Sequence, residues 1–124
     1  MNKLMFSENF DKLLDNIDFD KLGKKVAIKM HFGEKGCATY LPPLIVKKLY
    51  DKIKNSNNVV ELIECNALYK GSRTNATDHI KIAKEHGFDF APIKILDGEL
   101  GNEYAEINGC KIGKGIKNYD SLIV

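Results

Sequence analysis

Arginine is almost missing from this chain: of 19 Lys and Arg residues, 18 are lysine and one, Arg73, is arginine. Tryptophan is absent, and cysteine is limited to Cys37, Cys65 and Cys110. Three widely spaced thiols make no disulfide framework, and without a CxxC pair there is no signature for zinc, thioredoxin chemistry or an iron–sulfur cluster. No apolar run approaches the roughly 18 residues of a membrane span. The first residues, MNKLMFSENF, have no apolar signal core or small-residue cleavage site, so a cytoplasmic protein without a membrane partner is expected. Acidic residues number 17, leaving a net charge of +2, too balanced for the basic stripe that nucleic-acid binding requires. Gly33-Glu34-Lys35-Gly36 lacks the Gly-Lys-Ser/Thr of a P-loop, and no GxGxxG follows the first apolar run. The familiar modes of nucleotide binding are therefore not expected.

What is present reads as one α/β domain over residues 1–124, with 44% hydrophobic and 29% charged residues, as in soluble globular chains. Ser7 is the expected cap of a short amphipathic helix with Phe10, Leu13, Leu14 and Ile17 on its apolar face. Residues 26–32 read as a buried strand. Pro42-Pro43 opens a second helix, with Ile45, Val46, Leu49, Tyr50 and Ile53 on one face and residues 55–58 as its stop. A β-branched strand follows at 59–63. Asn75, with Asp78 three residues on, predicts the cap of a third helix whose inner face is Ala76, His79, Ile80 and Ala83. Gly87-Phe88 is its expected stop, and 93–96 is a third strand. Asn108-Gly109 between 104–107 and 110–112 fits a type I′ hairpin, and 121–124 reads as a further buried strand. The order β-α-β-α-β predicts a mostly parallel sheet with flanking helices, plus a hairpin near the C-terminus.

Ligands of such sheets gather outside the carboxyl ends of the strands. The loops expected there, 33–40, 65–74 and 97–103, carry Glu34, Asn66, Tyr69, Lys70, Arg73 and Asp97, and the first strand adds Lys29 and His31 on one face. Three chemistries fit these residue types. One is an anion pocket, in which Arg73, Lys29, Lys70 and the helix N-terminus at Asn75 surround a carboxylate or phosphate. In it Arg73 is the bidentate clamp, Lys29 a charge partner and His31 a donor or proton carrier, and a rim arginine adds little to folding stability. A second is a metal site drawn from His31, Glu34, Glu64 and His79, which lack a tight ligand spacing. The third is Cys65 as a nucleophile beside His79, without a local signature. Each also has a plain structural role: Arg73 as a solvated surface residue, His79 on the inner helix face, Cys65 as a small buried hydrophobe and Glu34 in a solvated loop.

The segments VAIKMHFGEKGCATYLPP and NALYKGSRTNATDHIKIAKEHGF, with the Asp97-Gly98 turn, resemble the amino-terminal part of the family catalogued as domain of unknown function 362. Members share a strand ending Lys-x-His-Phe-Gly-Glu, matched by Lys29, His31, Phe32, Gly33 and Glu34. They also share a loop matched by Asn66, Leu68, Tyr69, Gly71, Arg73, Asn75, Ala76, Asp78 and His79; where members usually read Asp-Thr before it, this chain has Glu64-Cys65. The resemblance implies a longer domain that continues past residues 120–124, often into ferredoxin-type cysteine motifs for [4Fe–4S] clusters, with no assigned reaction. The expected function is thus the small-anion-binding portion of an iron–sulfur-associated protein, with no cofactor held by this chain. The ligand site expected is Lys29, His31, Glu34, Asn66, Tyr69, Arg73 and Asn75. The alternatives are part of a metal- or cluster-linked redox enzyme, or an interaction module for a ferredoxin-type domain or protein. A chain ending on Leu-Ile-Val is expected to leave an apolar sheet edge, which favours a homo-oligomer.

Overall fold

The computed structural model describes residues 4–56 and 58–124. Four parallel strands, β1 (Lys25–Lys29), β2 (Val59–Glu64), β3 (Ile93–Ile95) and β6 (Ser121–Ile123), form one sheet in the order β3-β2-β1-β6. Ile28 of β1 lies opposite Leu62 of β2 on one side and Ile123 of β6 on the other. β4 (Tyr104–Ile107) and β5 (Cys110–Gly113) make a separate antiparallel hairpin. Its turn residues Asn108 and Gly109 have φ of 51° and 78°, the left-handed pair that a type I′ turn needs.

Period-two alternation divides the sheet faces. Val26 and Ile28, Val60 and Leu62, and Ile93 pack with Val46 and Ile53 of α2 (Pro43–Asn55), Ala83 of α3 (Ala76–Glu85) and Leu14 of α1 (Phe10–Asp15). The three helices therefore share one face. On the other face Ala27, Ile63 and Leu96 meet Ile116 and Tyr119, from the 3₁₀ turn Lys114–Asn118 and its end. Side chains fully buried in this way contribute about 1.5–3 kcal/mol each.

Local signals account for most boundaries. Pro43 starts α2, where its missing N–H costs nothing, and Ser56 caps the end; Asn57, part of the expected stop, lies outside the described residues. Asn75 caps α3 by accepting from the Asp78 amide at 2.8 Å. Gly87, at φ 93°, lets Phe88 N–H reach the Ala83 carbonyl while its own N–H bonds Lys84, which seats the Phe88 ring in the core.

Five expectations change. The cap of α1 is Asn9, whose side chain accepts from the Lys12 amide, while Ser7 Oγ accepts from Asn9 N–H. Ile17 lies beyond that helix and is exposed. In α3 the buried residues are His79, Ile82 and Ala83, with Ile80 half-buried against the same core, so the inner face is wider than expected and takes in Ile82. β6 is an edge strand, with Leu122 48% exposed, because only β1 pairs with it. The pairing of β1 stops at Lys29, and the chain runs on to bury Phe32 against Phe88.

Strands β1, β2 and β3 step in one direction, and β6 then falls on the far side of β1. This reversal makes the carboxyl end of β1 the crevice of the sheet.

Candidate functional site

The polypeptide leaving β1 turns at Gly33, which has φ 81° and where a Cβ would sit 2.3 Å from the Tyr40 ring. Glycine is thus required there on both conformational and steric grounds. The turn delivers Glu34 to the loop between β2 and α3. That loop is closed by Ala67 N–H on the Arg73 carbonyl at 2.8 Å.

Arg73 is 5% exposed, so its guanidinium is an interior group. Nε donates to Glu34 Oε2 at 3.3 Å, one Nη donates to the Tyr69 hydroxyl, and the other meets His31 Nδ1 at 3.3 Å. The guanidinium carbon also lies 5.8 Å from the Tyr69 ring centroid. Glu34 accepts from the Ser72 amide at 3.0 Å and from the Ser72 hydroxyl. The Ser72 hydroxyl first, and Arg73 after it, hold the Glu34 carboxyl down at about 2 against the pull of burial. The solvated reading of Arg73 and the free-loop reading of Glu34 are therefore replaced by one cross-loop ion pair.

His79 lies wholly buried behind this cluster, edge-on to Phe32 with centroids 5.8 Å apart, and neither ring nitrogen has a hydrogen-bond partner. Burial, and then the Arg73 cation, lower its pKa to about 4, so the ring is neutral at pH 7.

The other candidates are placed apart from Arg73. Lys29 Nζ pairs with Glu64 Oε1 at 3.1 Å, and the Cys65 amide shares that oxygen. Asn66 bonds Asp97 through its backbone and side-chain nitrogens at 3.0 and 3.2 Å, tying the exit of β2 to that of β3. Asn75 is spent on Asp78, and the first amides of α3 are occupied: Ala76 N–H by the Glu99 carbonyl, Thr77 N–H by the Glu99 carboxylate. The helix N-terminus is thus filled by the chain itself. Lys70 is exposed and has no ion pair among the described residues.

Ser72 and Glu99 were not among the sequence candidates. A Ser adjacent to the lone arginine was the available signal for Ser72; Glu99, 22 residues from the amide it accepts, offered none.

The surroundings of Cys65 oppose an activated nucleophile: burial, then the Asp97 charge, raise its pKa. No group of three or more His, Cys, Asp or Glu side chains able to hold a metal converges among the described residues. Cys37 lies in the loop after β1, Cys65 at the end of β2 and Cys110 in the hairpin, so the residues present do not fit a four-thiolate cluster cage.

No curated protein and no solved structure matches this chain. The family model described as Domain of unknown function (DUF362) matches residues 26–124, and the chain, most of whose length this covers, belongs to that family.

Proposed function

We propose that the rim at the carboxyl end of β1 binds a small oxygen-rich anion, a carboxylate or a phosphate, as the ligand-binding portion of an iron–sulfur-associated protein. The supporting observation is the contact between Arg73 and His31 Nδ1 at 3.3 Å. Arginine can only donate, so Nδ1 must accept, and the proton of the neutral imidazole is placed on Nε2. His31 is exposed. Its free edge therefore offers an N–H, which suits an acceptor oxygen and not a metal ion, whose imidazole ligand needs a lone pair.

The reversal of strand order beside β1 favours the same location. Glu34 already balances the Arg73 charge and the guanidinium is interior, so Arg73 acts as a positioning residue, and direct recognition falls to His31. The iron–sulfur association rests on the family resemblance alone. A second reading, a contact surface for a ferredoxin-type domain or protein, is favoured by Leu68, fully exposed beside Tyr69 on the same loop.

Calorimetric titration with inorganic phosphate and with malonate tests the first reading. Binding should weaken about tenfold in His31→Ala, the loss of one hydrogen bond to a charged acceptor, at unchanged melting temperature. Absence of binding at about 10 mM of either probe, or equal binding by the variant, would sink it.

A further inference from the structure

A parallel sheet is ordinarily apolar on both faces. Here the face turned away from the helices carries charge. Alternation sends Lys25, Glu61 and Lys94 to that face along with Ala27, Ile63 and Leu96. Glu61, on the interior strand β2, is buried; it accepts from the Tyr119 hydroxyl at 2.7 Å and lies 3.4 Å from Lys25 Nζ. Lys25 also stands 4.9 Å from the Tyr119 ring centroid. Burial, and then the bond to Glu61, push the Tyr119 phenol pKa up, so the hydroxyl remains a donor and the three side chains form a neutral floor.

Over this floor opens a cleft of 510 Å³, within the usual range for small-molecule sites. Lys94 of β3 and Lys114 and Lys117 of the 3₁₀ turn line it, and none of the three has an acidic partner among the described residues. Glu103 is the one lining carboxylate outside the floor, so three lysines against one glutamate leave a local charge of +2. The cleft shares no residue with the Arg73 rim.

We infer that this cleft is a second ligand site, for a compact polyanion such as a phosphorylated small molecule. Separate ammonium groups on flexible stems suit charge spread over several phosphate oxygens, whereas a planar carboxylate is better matched by an arginine fork. Tyr119 and Leu96 supply an apolar flank for the uncharged part of such a ligand.

The test is calorimetry of the full chain with inorganic tripolyphosphate at low salt. One-to-one binding is expected. It should weaken at least about tenfold in the double variant Lys94→Glu/Lys117→Glu and tighten about twofold in Glu103→Gln. Lys12→Glu/Lys84→Glu, with the same change in net charge but on α1 and α3, should stay within about twofold of the parent, as should His31→Ala. Circular dichroism checks that each variant is folded; should charge reversal disturb folding, Lys94→Gln/Lys117→Gln is expected to weaken binding about fivefold. The inference fails if no binding occurs at about 1 mM or if both lysine pairs lose affinity equally. It fails too if His31→Ala abolishes binding, since the ion then occupies the rim.

Discussion

The Nε atom of Arg73 donates to Oε2 of Glu34 across 3.3 Å, and this bond fastens the loop after β1 to the loop before α3. The two residues are 39 apart in sequence. Arg73 would be poorly placed alone: the guanidinium is interior, and a buried cation without a partner is strongly destabilising. With Ser72 and Tyr69 they form a fixed support against which the His31 ring is oriented.

Glu34 should make the fold acid-sensitive. Its carboxyl titrates at about 2 in the folded chain against 4.5 for an unperturbed glutamate. The unfolded chain therefore takes up the proton first as pH falls. The stabilisation is complete above about pH 5, declines through 4.5 and is gone below about 2. Because the side chain is still partly open to water, the contribution is discounted to about 1–2 kcal/mol. Urea unfolding of wild type and Glu34→Gln should differ by that amount at pH 6 and by less than about half of it at pH 3. A constant difference across that range would count against the ion pair.

The position of Arg73 also changes what its substitution should do. A rim arginine would be nearly silent in stability, but this one is interior and engaged by three side chains. Arg73→Ala leaves Glu34 without its cation, at a cost of about 2 kcal/mol; Ser72 and solvent limit it below the usual figure for a buried pair. For a domain of this size that lowers the melting temperature by about 5–8 °C. Arg73→Lys keeps the charge but loses the fork to Tyr69 and His31, so it should recover only about half. An unchanged melting temperature for Arg73→Ala would show that the guanidinium is solvated.

How much of this was legible depends on how local each determinant is. The Asn75, Gly87-Phe88 and Asn108-Gly109 signals lie within a few residues of what they specify, and each appears as read. Ser7 and Asn9 are both good caps two residues apart, so side-chain type could not choose between them. The edge position of β6 depends on which strands pair, which no window along the chain contains. The site was half legible for the same reason. His31, Glu34, Tyr69 and Arg73 do come together, but Lys29, Asn66 and Asn75 are drawn off by Glu64, Asp97 and Asp78. Those partners compete for the same hydrogen bonds, and charge and residue type alone do not decide between them.

His79 gives the most selective pH test, because its environment opposes charge so strongly. The ring is wholly buried, and both nitrogens lack partners. Burial and the Arg73 cation bring its pKa to about 4, against 6.5 when unperturbed. The unfolded chain binds a proton near pH 6.5 that the folded chain refuses until about 4. Stability should therefore fall as pH drops through that window and level off below it. Between pH 7 and 5 the loss is about 2 kcal/mol. His79→Leu removes the titration and two unsatisfied polar atoms while keeping a similar volume, so stability at pH 7 should hold within about 1 kcal/mol or rise. Glu34, His31 and His86 are present in both proteins, so the difference between the two pH profiles isolates His79. Urea denaturation at pH 7, 6 and 5 should give wild type a steeper decline than the variant. Parallel profiles would mean that the imidazole finds a proton acceptor or solvent in the folded state, and that the core behind Arg73 is more polar than its contacts indicate.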